Sequence, residues 1–210
     1  MADGRARLLQ RRGLETRQIG DRPAEGWGLL YMSWADRETG QYDSGLERGQ
    51  QALAIARKLK VDFLSWYAWH SLARLYLLLN RSQDSLAAAS ESHHISQSKI
   101  FHPSMHARTL ATLARAHLEM AHAEDSHPYT SEALSELQSL RVRSMPEMQA
   151  AYFDCYLSLQ QAGSTAARDA LKQAHMAMMA QAGAIADAES RARFLREVVM
   201  NREIAAIWES

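Results

Sequence analysis

The side chains best suited to chemistry in this 210-residue sequence are nine histidines and a single cysteine, Cys155. His102 and His106 stand four residues apart, the spacing that puts two imidazoles on one helix face, where they can share a metal ion. His102 directly precedes Pro103, which places it outside the helix, and there the spacing loses that meaning. Neither Cys155 nor an acidic residue nearby in sequence completes a ligand set. His93 with His94, and His117 with His122, are weaker pairs, and all of these read as surface or capping histidines. Cys155 sits inside the apolar run Ala151-Tyr152-Phe153-Asp154-Cys155-Tyr156-Leu157, the setting of a small buried hydrophobe rather than a nucleophile. No Gly-x4-Gly-Lys-[Ser/Thr], Gly-x-Gly-x2-Gly or His-Glu-x2-His motif occurs. The expectation is a protein that is not an enzyme, holds no metal and needs no cofactor.

The elements that must carry these residues are helices. With 47% hydrophobic and 23% charged residues the chain is a folded one, long enough to bury a sizeable core. Ten glycines and four prolines are few for an all-β protein. Lysine plus arginine equals aspartate plus glutamate at 24 each, so no overall field attracts nucleic acid or anionic lipid. The first 22 residues carry a formal charge of plus three, which reads as the solvated face of a helix. A lone cysteine suits a reducing compartment, hence the cytoplasm, and no apolar run is long enough to span a bilayer.

Pro23, Pro103, Pro128 and Pro146 fall between stretches with apolar residues three and four apart, and read as helix starts. The spacing predicts helices at 4–19, 23–39, 42–60, 62–79, 82–98, 103–121, 129–141, 145–161, 164–182, 187–199 and 201–208. Short linkers such as Gly40-Gln41, Asn80-Arg81 and Gly163 force neighbouring helices to run antiparallel. Ala121 to Pro128 is the one long connection and the most mobile loop expected. Met176, Met178 and Met179 are expected to fill core gaps.

Small residues recur where paired helices must approach. They follow a leucine or methionine in the first helix of each pair: Met32-Ser33, Leu72-Ala73, Leu113-Ala114 and Leu157-Ser158. In the second helices they recur four and then three apart: Gly45, Gly49 and Ala52; Ser85, Ala89 and Ser92; Ala170, Ala174 and Ala177. Glycine inside a helix costs roughly 0.5–1 kcal/mol relative to alanine, so Gly45 and Gly49 call for close packing. The third pair is the weakest, with Ala133 and Leu137 fitting only after a longer loop.

Trp69 through Tyr76 fits Trp-x2-Leu-Gly-x2-Tyr with Ala73 at the glycine, and so resembles the first helix of a tetratricopeptide repeat. Met32, Leu72, Leu113 and Leu157 are spaced by 40, 41 and 44 residues, longer than the usual period of about 34. Longer repeats of this kind resemble the sensor solenoid of the maltose-regulon activator and related bacterial regulators. Leu14 through Arg22 is similar to the turn between such repeats, and Arg193 through Trp208 to the closing helices. The implied fold is an all-α, right-handed α-solenoid of about four antiparallel helix hairpins. The expected layout is a single domain over 1–210. Residues 4–19 are a half repeat or cap, 23–60, 62–98, 103–141 and 145–182 are helix pairs, and 187–208 cap the carboxy end. A chain starting in mid-repeat reads as the carboxy-terminal piece of a longer protein.

In such a stack the first helices line a concave groove. The positions expected there are Trp27, Tyr31, Trp34, Arg37, Tyr67, His70, Arg74, Arg108, Arg115 and Tyr152. Aromatic and arginine side chains are favoured at binding hot spots because they combine large contact area with directed hydrogen bonds. The expected occupant is a peptide, a protein segment or a small acidic effector, with neither nucleic acid nor membrane as partner. The expected role is the sensor or scaffold part of a bacterial signalling or transcription regulator. The alternative is a freestanding adaptor that assembles complexes or self-associates, as a homodimer for instance.

Overall fold

The protein is described here by a computed structural model covering residues 22–98, 101–140 and 147–210. The expected helix 4–19 and the start mark Pro146 lie outside the described residues. Contacts divide the chain into two compact units, one reaching Ile95 and the other beginning at Ser96. The described residues form ten α-helices and no strand.

The first unit holds α1 (Arg22–Glu38), α2 (Tyr42–Leu59), α3 (Asp62–Leu78) and α4 (Ser82–Ser96). Helix α1 packs on α2, α2 on α3, and α1 also touches α3, so successive first helices lie side by side. The second unit holds α5 (Pro103–Glu119), α6 (Ala123–Ser139), α7 (Met148–Gln161), α8 (Ala167–Ala184), α9 (Ala188–Arg196) and α10 (Val199–Glu209). There α5 packs on α6 and α7, and α7 on α8, while α9 and α10 lie against α8. Ile204 of α10 is fully buried and Trp208 stacks on His175 of α8 with ring centroids 4.9 Å apart, which seats α10 on α8.

One turn is used five times. A residue in the left-handed region follows the helix, and the next N–H reaches back five residues. Gln41 donates to Asp36, Val61 to Ala56, Arg81 to Tyr76, His122 to His117 and Ser164 to Leu159, at 2.8–3.0 Å. These are the six-to-one bonds of a Schellman motif, which satisfy carbonyls the helix end leaves open. The left-handed residue is glycine at Gly40 and Gly163, but Lys60, Asn80 and Ala121 do the same with side chains present.

The small residues lie where helices meet. A Cβ on Gly49 would stand 2.9 Å from Leu72 Cδ2, and one on Gly26 would stand 2.6 Å from Leu64 Cδ2. Gly49 therefore sets how closely α2 meets α3, and Gly26, which the helical spacing did not single out, does so for α1 and α3. Hydroxyls bond across the same seams. Ser33 donates to the Gly45 carbonyl at 2.8 Å and Ser85 to the Ala73 carbonyl at 2.9 Å. Ser158 of α7 lies 2.8 Å from Ser126 and accepts from Thr130 at 2.7 Å, both on α6. These hydroxyl residues are all buried, so the bonds satisfy polar groups cut off from water.

Pro128 does not start a helix. Helix α6 begins at Ala123 and runs through it, and the expected long loop is the short Schellman turn at Ala121. The proline forgoes only its bond to the carbonyl of Glu124, an exposed first-turn residue that water can serve. Burial of Ser126 and Thr130 against Ser158 rewards the extra turn. Of the three methionines only Met178 enters the core; Met176 and Met179, three residues apart, share the outer face of α8 and are exposed.

Two substitutions test these packing and turn assignments. Ala73 is fully buried under Ser85, so Ala73→Trp overpacks the seam and lowers unfolding free energy by about 1–3 kcal/mol in urea denaturation. Ala121 holds φ of 60°. Ala121→Gly removes the steric cost of the left-handed conformation and is expected to raise stability by about 0.5–1 kcal/mol, read from the same transition.

Candidate functional site

Positions four and three apart place Trp27, Tyr31 and Trp34 along one stripe of α1, and Phe63, Tyr67, His70 and Arg74 along one stripe of α3. Since α1 and α3 lie side by side, the stripes interlock. Trp27 meets Phe63 at 6.1 Å and Tyr67 at 5.5 Å, and Trp34 meets Tyr67 at 5.6 Å between ring centroids. Tyr31 stands edge-on to Trp34 at 5.3 Å. Most contacts are tilted or edge-to-face, the arrangement that aromatic quadrupoles favour.

Beneath this layer Trp66 is fully buried, with His70 stacked on it at 5.0 Å and 9° between planes. His70 thus supports the aromatic layer from below rather than opening to solvent. The outer rings are accessible: Tyr31 is 38% exposed and Phe63 47%. Phe63 was absent from the groove positions expected from sequence, although Val61-Asp62-Phe63-Leu64 opens α3 four residues before Tyr67. Its spacing to Tyr67 was the signal that could have found it.

The arginines do different things. Arg37 bonds Glu38 at 3.0 Å and its side chain is mostly buried. Arg74 is half-buried on α3. In the second unit Arg108 is buried and pairs with Glu147 at the start of α7, while Arg115 pairs with Glu119 one turn along α5 at 2.5 Å. Tyr152 is buried and lines a cleft of about 480 Å³ with Leu134, Leu137, Met148 and Met176. Structure therefore gathers Trp27, Tyr31, Trp34, Tyr67 and His70 into one cluster, and sets three of the four arginines against carboxylates.

Behind the aromatic layer, Asp36 of α1 is buried and accepts from Arg48 of α2 at 2.6 Å. Burial raises the Asp36 carboxyl above the usual carboxylate range, and Arg48 only partly offsets this. Cys155 is fully buried, and burial, with Asp154 adding to it, pushes its thiol well up, so it is no nucleophile at neutral pH. His102 caps α5, with its Nδ1 accepting from the Ser104 N–H at 3.2 Å.

Paired helices with laterally packed first helices and small residues at the seams define a tetratricopeptide-like α-solenoid fold. Solved structures of that kind match it. BtubC (BKLC) from P. vanneervenii covers 100% of this chain and 93% of its own, with TM-score 0.64 and 14% identity. A Podosopora anserina structure described as kinesin light chain, with nearly identical TPR-like repeats, covers 89% of this chain and 97% of its own, with TM-score 0.58 and 16% identity. A point variant of that protein matches equally. No protein-family model and no curated protein matches the sequence.

The Asp36–Arg48 pair makes a pH-dependent prediction. A carboxyl whose folded pKa is raised contributes stability at acid pH that is lost as pH rises through that pKa. Arg48→Ala removes the offset, so the loss deepens. The variant should unfold about 1–3 kcal/mol more easily than wild type at pH 7, with the gap narrowing as Asp36 becomes protonated in both. Urea titrations at the two pH extremes measure it.

Proposed function

We propose that this is a non-enzymatic binding domain that takes an extended protein segment on the aromatic face of α1 and α3. The observation that carries the reading is the interlocked cluster of Trp27, Tyr31, Trp34, Phe63 and Tyr67, whose outer rings stay accessible on a rigid two-helix base. Rigid aromatic surface binds at low entropic cost, which is why such residues dominate hot spots. A protein segment is favoured over a small acidic effector because Arg37, Arg108 and Arg115 already face carboxylates.

The role we assign is the sensor or scaffold part of a bacterial signalling or transcription regulator, working in the cytoplasm, and its support is the resemblance of the repeats and closing helices to such solenoids. Nucleic acid and membrane are not its partners in this reading; the net charge is zero, and no described helix is long and apolar enough to cross a bilayer. The freestanding or self-associating adaptor is the second reading. It would use the same aromatic face, and the tetratricopeptide-like fold shared with BtubC suits either reading.

Peptides selected from a display library against the wild-type protein supply the probe. Tyr31→Ala and Phe63→Ala alter exposed rings, so the double variant should keep its melting temperature and lose at least about tenfold in affinity for those peptides, as hot-spot truncations do. Equal affinity in wild type and double variant sinks the aromatic-face reading.

A further inference from the structure

The turn between α5 and α6 brings together three metal-ligating groups that the spacing in sequence did not join. His117 lies in the last turn of α5, His122 precedes α6, and Asp125 lies in its first turn. The ligand atoms of all three lie within 4.8 Å of one another. Nδ1 of His117 and Nδ1 of His122 each stand 3.9 Å from Asp125 Oδ2. We propose that this turn is a binding site for a divalent transition-metal ion of the zinc class, held by His117, His122 and Asp125 with water completing the shell.

The backbone prepares the arrangement. Ala121 in the left-handed region and the His122 N–H to His117 carbonyl bond of 3.0 Å fix the turn. His117 is the anchored ligand: its ring stacks on Tyr129 at 5.4 Å and 14°, and Tyr129 stands one helical turn beyond Asp125. Its Nδ1 is buried with no hydrogen-bond partner among the described residues and stands 3.9 Å from Asp125 Oδ2.

His122 and Asp125, 52% and 65% exposed, are free to close the remaining gap. Donors around a four-coordinate zinc at about 2.0–2.2 Å sit roughly 3.4 Å apart, so the two imidazole–carboxylate distances of 3.9 Å must shorten by about half an ångström, and exposed side chains can turn to do so. Two imidazoles and one carboxylate suit zinc, nickel or copper better than magnesium or calcium, which prefer all-oxygen shells. A second cluster, His106 with Glu132 and Glu136, differs. There His106 Nδ1 is already bonded to Glu136 at 2.8 Å, and two of three donors are carboxylates.

Calorimetric titration of the full chain with Zn²⁺, and the visible spectrum of its Co²⁺ form, test the site. His122→Ala and Asp125→Asn are the variants of choice, because both residues are exposed and His122 makes no side-chain capping bond that its loss would remove. One equivalent of Zn²⁺ is expected to bind and raise the melting temperature, and each variant should weaken it at least about tenfold. Glu132→Gln should leave binding unchanged. No binding at about 100 µM Zn²⁺ in a site built for stoichiometric occupancy overturns the proposal. So does binding that survives both variants, or binding abolished by Glu132→Gln.

Discussion

The constraint on which the rest depends is how near two helix backbones can come. At Gly49 and Gly26 even a methyl group would collide with a leucine of the facing helix, and at Ser33, Ser85 and Ser158 a short hydroxyl side chain bonds across to the neighbouring helix. Close approach brings whole rows of neighbouring side chains into van der Waals contact, which is where a chain of paired helices finds its packing energy. It also buries polar atoms, so each seam hydroxyl meets a carbonyl or a second hydroxyl instead of water.

The repeated Schellman turn converts that constraint into a regular course of the chain. Because the same bond closes α1, α2, α3, α5 and α7, each following helix leaves its turn from an equivalent backbone geometry. The side-by-side placement of α1 and α3 follows, and with it the meeting of their aromatic stripes. The aromatic face is thus a consequence of helix pairing rather than of any motif of its own.

Charge behaves differently from packing. Asp36 with Arg48 and Arg108 with Glu147 join residues distant in sequence, and the second pair takes up an arginine that the sequence offered to a ligand. With Asp36 and Arg48 paired, the aromatic rings stand as the chemically distinctive feature of the first unit.

Much of the fold was legible in the sequence. Helix limits for α1 to α4 follow from apolar spacing and turn residues to within about two positions, and the small residues at the seams were readable because sterics at short range dictate them. The start of α6 was not legible, since Pro128 is a local signal and the pull of Ser158 on Ser126 and Thr130 comes from 28 residues or more away. Helical spacing put Trp27, Tyr31, Trp34 and Tyr67 on neighbouring stripes, where their rings do meet, and left out Phe63, which joins them. What the sequence determined alone is the identity and register of the helices, because periodicity and backbone sterics act between near neighbours. What only the tertiary structure decided is that Arg108 is spent on Glu147, 39 residues away, and that His117 and His122 come together with Asp125. Long side chains choose their partners across a few ångströms of space, and distance along the chain does not encode that choice.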